Sequence, residues 1–219
     1  LPMGVDYMLP MAIAKDVAEN VGGIVAAPVT YGYKSMPRSG GGPFFPGSTG
    51  VDGHTLSMVV RDIIRELVRH GVRRICVLDG NYENLWFLNE GIDLAMREVG
   101  DKGVRVMCLQ HWEFLTEETL NRIFPDGYPG IELEHAAVLE TSLMQHYYPD
   151  TVLNDLLPDN KPAGAPCYDV WPARREWVPA EGSLVSAAAA TAEKGAIMAE
   201  QYLQDMSAAI TKEFYGSDS

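Results

Sequence analysis

The 219 residues carry 30 Asp and Glu against 17 Lys and Arg, a formal net charge of −13, and 47% of them are apolar. That charge repels a phosphate backbone and no Lys/Arg cluster makes a local exception, so nucleic acid is excluded as an expected partner. The apolar share can bury one sizeable core and no stretch is compositionally disordered, which predicts a single domain over residues 1–219.

Taken in chain order, apolar spacings of three and four in YMLPMAIAKDVAENVGG predict a helix from about Met8 to Asn20, closed by a glycine pair. GIVAAPVTYG then reads as a strand. Residues 33–53, YKSMPRSGGGPFFPGSTGVDG, are too rich in Gly and Pro, and too long, for an ordinary connection, which makes them a candidate functional loop. HTLSMVVRDIIRELVRHG is an amphipathic helix ended by Gly71, followed by the strand RRICVLD, the helix NLWFLNEGIDLAMREVG and the strand VRVMCLQ. This alternation predicts an α/β fold, with a mostly parallel sheet between two layers of helices. Ligands of such sheets bind at the carboxyl ends of the strands, so the loops at 31–53, 79–83 and 110–115 should open on one edge.

Further along, TEETLNRIF reads as a short helix capped by Thr116, and ELEHAAVLETSLMQHYYPD as a longer one. On a regular helix His135 and Glu140 lie about 140° apart, so they meet one pocket only if the turn carrying His135 is irregular. Residues 151–182 are Pro-rich and aromatic and should wrap the surface before a C-terminal helix. The small-residue run LVSAAAATAEKGAIMAE is broken by Glu193 and Lys194, which suits a packed helix rather than a membrane span. Cys76, Cys108 and Cys167 cannot all pair within the chain, and the first two lie in strand-like runs where Cys serves as a small hydrophobe. With no segment resembling a signal peptide, a cytoplasmic protein without membrane partners is expected.

No phosphate-binding glycine loop, nucleophile elbow, C-x-x-C pair or H-E-x-x-H occurs. What remains is a dispersed set of hard ligands: Asp6, Glu83, Glu134, His135 and Glu140. A carboxylate just after a strand, as Glu83 is, can reach a metal at the sheet edge, and oxygen-rich sites with one or two His suit Zn or Mn. Equally, Glu83 can be a helix N-terminal residue favoured by the macrodipole, and His135 a partly exposed helix start. Tyr82 and Trp112 are either rim packing or an aromatic cover for a small flat ligand.

The segments MGVDYMLP, YGYKSMPRSGGGPFFPGSTGVDG, DGNYENLWFLNEGIDLA, IELEHAAVLETSLM, CYDVWP and TAEKG, in this order, resemble the creatininase (creatinine amidohydrolase) family over nearly the whole chain. The resemblance implies a homo-oligomeric metal-dependent amidohydrolase that opens a small cyclic amide, creatinine to creatine, with divalent Zn and/or Mn. It carries Asp6 over as the bridging metal ligand and Glu83 as a terminal one. It makes His135 the acid/base, places Glu83 and Glu140 with it in the catalytic pocket, and makes Ser39, Tyr82, Trp112 and Glu132 substrate contacts. Three departures stand out: the family's E-Q-H-G-x-H motif, normally just before LPMGVD, does not occur in this chain, Asn81 replaces the His of G-H-Y-E, and Ile131 replaces a second lid tryptophan. They leave open a metal-depleted, silent homologue that binds a small ligand or serves as a subunit, or a hydrolase of another amide or formamide.

Overall fold

The computed structural model describes residues 1–100 and 102–216. Its elements are α1 (Val5–Val21), α2 (Pro37–Gly40), α3 (Gly53–Arg69), β1 (Arg74–Asp79), α4 (Leu85–Val99), β2 (Arg105–Gln110), α5 (Glu117–Ile123), α6 (Val138–Tyr147) and α7 (Ala192–Tyr215), with single 3-10 turns between several of them. β1 and β2 pair in parallel from Arg74 opposite Arg105 to Asp79 opposite Gln110. The β1–α4–β2 crossover therefore brings both carboxyl ends to one edge, as the alternation predicted.

Two apolar clusters sandwich the sheet. α3 and α4 pack Leu56, Ile64, Leu88 and Ala95 around Ile75 of β1. On the opposite side α1, α6 and α7 gather Leu9, Ile13, Leu143, Met198 and Met206 around Leu109 of β2. Burying such side chains stabilises by about 1.5–3 kcal/mol each, and it is this packing, more than helix propensity, that holds the outer layers in place. Thr116 caps α5 as predicted, its hydroxyl accepting from the Thr119 N–H, and Thr191 does the same for α7 toward Lys194.

Three expectations are corrected. The segment 23–32 forms no strand; near it only an isolated bridge joins Tyr33 to Val51, and Ile24 is 99% exposed. Its β-prone residues find no ladder partner among the described residues, and propensity alone does not make a strand. The helix expected from Glu132 onward begins only at Val138: a 3-10 turn at Ile131–Leu133 comes first, and Ala136 adopts φ +51°. Cys76 is exposed and not a buried hydrophobe; it, Cys108 and Cys167 are all free thiols. α1 also starts earlier than expected, which puts Asp6 in its first turn, where the helix dipole favours a carboxylate.

Candidate active site

The carboxyl end of β1 is anchored by a residue that sequence reasoning passed over. Asp79 is 2% exposed; its Oδ1 accepts from the Asn81 N–H at 3.1 Å and from Asn84 Nδ2 at 3.0 Å, and its Oδ2 from Gln110 Nε2 at 3.1 Å. Asn84 in turn accepts the Tyr33 N–H at 2.8 Å, so the Gly-rich loop is tied to the strand end. Next in the chain, Gly80 lies so close to α1 that a Cβ there would stand 2.0 Å from the Asp6 carbonyl oxygen. Only glycine permits that approach, and it brings Asp6 beside the turn at 81–83.

Within that turn the Asn81 Oδ1 accepts the Glu83 N–H at 3.2 Å, and its Nδ2 donates to Asp6 Oδ2 at 3.3 Å. Glu83 points into the Gly-rich loop, where its Oε1 accepts from Ser39 Oγ at 2.7 Å and from the Met36 N–H at 3.1 Å. A Cβ on Gly40 would come within 2.9 Å of that same oxygen, so the glycine run serves as a close-fitting cradle for Glu83. Ser39, expected to contact substrate, is thus committed to Glu83. Tyr82 and Glu132 meet at the rim, the phenol donating over 3.4 Å, and Arg38 ties Glu132 (3.6 Å) to Asp169 (3.9 Å).

The loop before α6 supplies the other wall. Glu134 is 4% exposed; its Oε2 accepts the Leu139 N–H at 2.8 Å, while its Oε1 is buried with no hydrogen-bond partner among the described residues. The His135 ring stacks on Phe45 with centroids 5.6 Å apart and planes 10° from parallel. Glu140 Oε2 accepts the Ala136 N–H, so the left-handed turn at Ala136 joins the His135 loop to the first turn of α6. That irregular turn is what brings His135 and Glu140 to one site. Across the edge, Trp112 packs edge-on against the buried His111 at 4.8 Å, and its Nε1–H is a buried donor without a partner among the described residues.

Asp6, Ser39, Tyr82, Glu83, Trp112, Glu134, His135 and Glu140 all line one cavity of about 1470 Å³, and of the predicted site residues only Glu132 stays outside it. Sequence reasoning had Glu134 as one hard ligand among several and missed Phe45, whose partner lies 90 residues away. The electrostatics are those of crowded, desolvated acids. Burial and then the nearby Glu83 push Asp6 up to about 6. Burial and then Asp6 push Glu140 to about 8, and burial alone raises Glu134 to about 7 and lowers His135 to about 4. A hard divalent cation between Asp6 and Glu83 would relieve this crowding, so the carboxylates fit one as a partial donor set. No group of three His, Cys, Asp or Glu side chains among the described residues could hold a metal unaided.

A family model described as creatininase, creatinine amidohydrolase, matches residues 1–210. A creatinine amidohydrolase of Pseudomonas putida is 46% identical over 216 residues, covering 97% of this chain and 83% of its own length. A solved structure of a variant creatininase complexed with creatine superposes with a TM-score of 0.94 at 45% identity, over 97% of this chain and 85% of its own. A Zn–Zn form of a variant creatininase gives the same score and identity over 97% and 84%. The match extends through the β1 edge, the Gly-rich loop and the loop before α6, and the chain belongs to the creatininase family.

Proposed function

We propose that this protein hydrolyses creatinine to creatine with a divalent cation, Zn or Mn, held by Asp6 and Glu83. The observation that carries the reading is the convergence of three acids that repel one another when ionised, Asp6, Glu83 and Glu140, beside the Glu134–His135 pair in one cavity. When bound, the cation polarises the amide carbonyl and makes water a stronger nucleophile at neutral pH.

The chain's own groups do the rest. Opening the ring joins a water oxygen to the carbonyl carbon, breaks the C–N bond and leaves a carboxylate, while the departing nitrogen gains a proton. Glu134, with a free Oε1 and a pKa of about 7, suits the general base that takes the proton from the attacking water. His135 is neutral at rest because burial lowers it to about 4; it relays a proton to the nitrogen and does not keep it. Burial and then Asp6 raise Glu140 to about 8, so it takes up a proton more readily than a free glutamate and can limit the negative charge around the substrate. Trp112, with its unpartnered Nε1–H, and Tyr82 cover the flat ring.

We further propose a homo-oligomer in a reducing, cytoplasmic setting. Three free thiols suit that setting, and the exposed Trp86, Leu156 and Trp171 offer apolar contact area. No helix among the described residues is long and apolar enough to cross a membrane. The test of function is creatine release from creatinine by metal-replete protein, with loss on chelation and recovery on adding Mn²⁺ or Zn²⁺. Absence of release across a panel of lactams and formamides from metal-replete, folded protein would leave a ligand-binding homologue.

A further inference from the structure

We infer that this centre takes one divalent cation per chain and not two, because the Asn81 side chain occupies an oxygen of Asp6 that a second cation would need. The inference rests on the metal-dependent reading of the site, but its test does not.

Asn81 caps the 3-10 turn at Tyr82–Asn84, and its amide orientation is settled by what surrounds it. The Glu83 N–H points at one end of the amide at 3.2 Å, and the Asp6 carboxylate faces the other at 3.3 Å. With the oxygen toward the N–H and the NH₂ toward the carboxylate, both contacts are hydrogen bonds. Flipped, both become repulsions, donor against donor and oxygen against oxygen. Asp79 Oδ1, accepting the Asn81 main-chain N–H at 3.1 Å, fixes the backbone from which that side chain projects.

The consequence falls on Asp6. A carboxylate shared between two cations has to give an oxygen to each, or both lone pairs of one oxygen. Here an N–H of the Asn81 amide donates to Oδ2 at 3.3 Å, which places positive partial charge where a cation on that oxygen would sit and leaves Oδ1. Glu83 is limited in the same way, since its Oε1 accepts from both Ser39 and Met36, leaving Oε2. One free oxygen on each acid makes a pair suited to a single ion. A neutral amide also does part of the work of a second cation, by hydrogen-bonding an otherwise isolated buried charge. The Zn–Zn form of the 45% identical creatininase supplies the contrasting case.

The experiment is a Mn²⁺ titration of the metal-free full-length protein, followed by electron paramagnetic resonance. Expected are one tightly bound Mn²⁺ per chain and an uncoupled, single-ion spectrum. Asn81→Asp should raise the count to two, with exchange-coupled lines, because a carboxylate still accepts the Glu83 N–H while turning an acceptor toward the cation. Two coupled ions in the unaltered protein would overturn the inference, and so would no tightly bound ion. A folded Asn81→Asp protein that still bound only one would overturn it too, folding being checked by thermal melting. One bound ion without creatinine turnover would contradict the proposed reaction and leave this inference standing; turnover with two would do the reverse.

Discussion

Replacing Glu134 by Gln should make the protein more stable and nearly inactive at once. In the folded state burial holds the Glu134 carboxyl to a pKa of about 7, against 4.5 for an unhindered glutamate. The folded protein therefore keeps a proton that the unfolded chain gives up between those values. Stability from this group is fully present below about pH 4.5 and is lost as pH rises to about 7, after which the loss is complete. A gap of about 2.5 pH units, at ~1.36 kcal/mol per unit, sets that loss at no more than about 3.4 kcal/mol. Gln carries no charge at any pH, keeps an oxygen for the Leu139 N–H, and differs little in volume. Urea denaturation at pH 5 should barely separate the two proteins, while at pH 8 the variant should be more stable by about 2–3 kcal/mol. Creatinine turnover should fall by about 10²–10⁴, the usual worth of a positioned acid or base. An identical pH dependence of stability in both proteins would refute the burial argument. A variant with undiminished turnover would refute the catalytic role.

Two other sites give predictions. His111 is buried with no partner for its Nδ1 among the described residues, and desolvation lowers it to about 4, so its contribution to stability is present above about pH 6.5 and is lost as pH falls toward 4. His111→Phe should remove up to about 3 kcal/mol of that acid sensitivity, read as a flatter stability–pH curve between pH 7.5 and 4.5. At Ala136, where φ is +51°, Ala136→Gly should relieve about 1 kcal/mol of backbone strain, partly offset by the greater freedom of glycine in the unfolded chain. Differential scanning calorimetry should show an unchanged or slightly higher Tm, and a large fall would mean that the methyl group packs against something the turn needs.

The β1 edge was legible because its signals are local. RRICVLD gives way to DGNYEN, so the position of Glu83 follows from strand length and loop composition, and α3 and α4 follow from helical spacing. The rest depends on partners remote in sequence. Asp79 looks like an ordinary strand-end acid until Gln110, 31 residues on, is seen to hydrogen-bond it. Phe45 looks like loop filler until His135 stacks on it. Residues 23–32 have the composition of a strand, but pairing requires a neighbour that composition does not specify. His135 reads as a helical residue because Ala136 and Ala137 favour helix; the left-handed turn at Ala136 is stabilised by the Glu140 side chain, a contact that no propensity scale contains.

If Asp6 and Glu83 hold the cation on which hydrolysis depends, creatinine turnover followed across a Mn²⁺ titration, in parallel for the unaltered protein and for Glu83→Gln, will show it. Turnover should rise saturably from a negligible metal-free rate in the first, and in the second stay at least about 100-fold lower at the same Mn²⁺. Turnover that is independent of cation, or a Glu83→Gln variant that matches its parent, would contradict it.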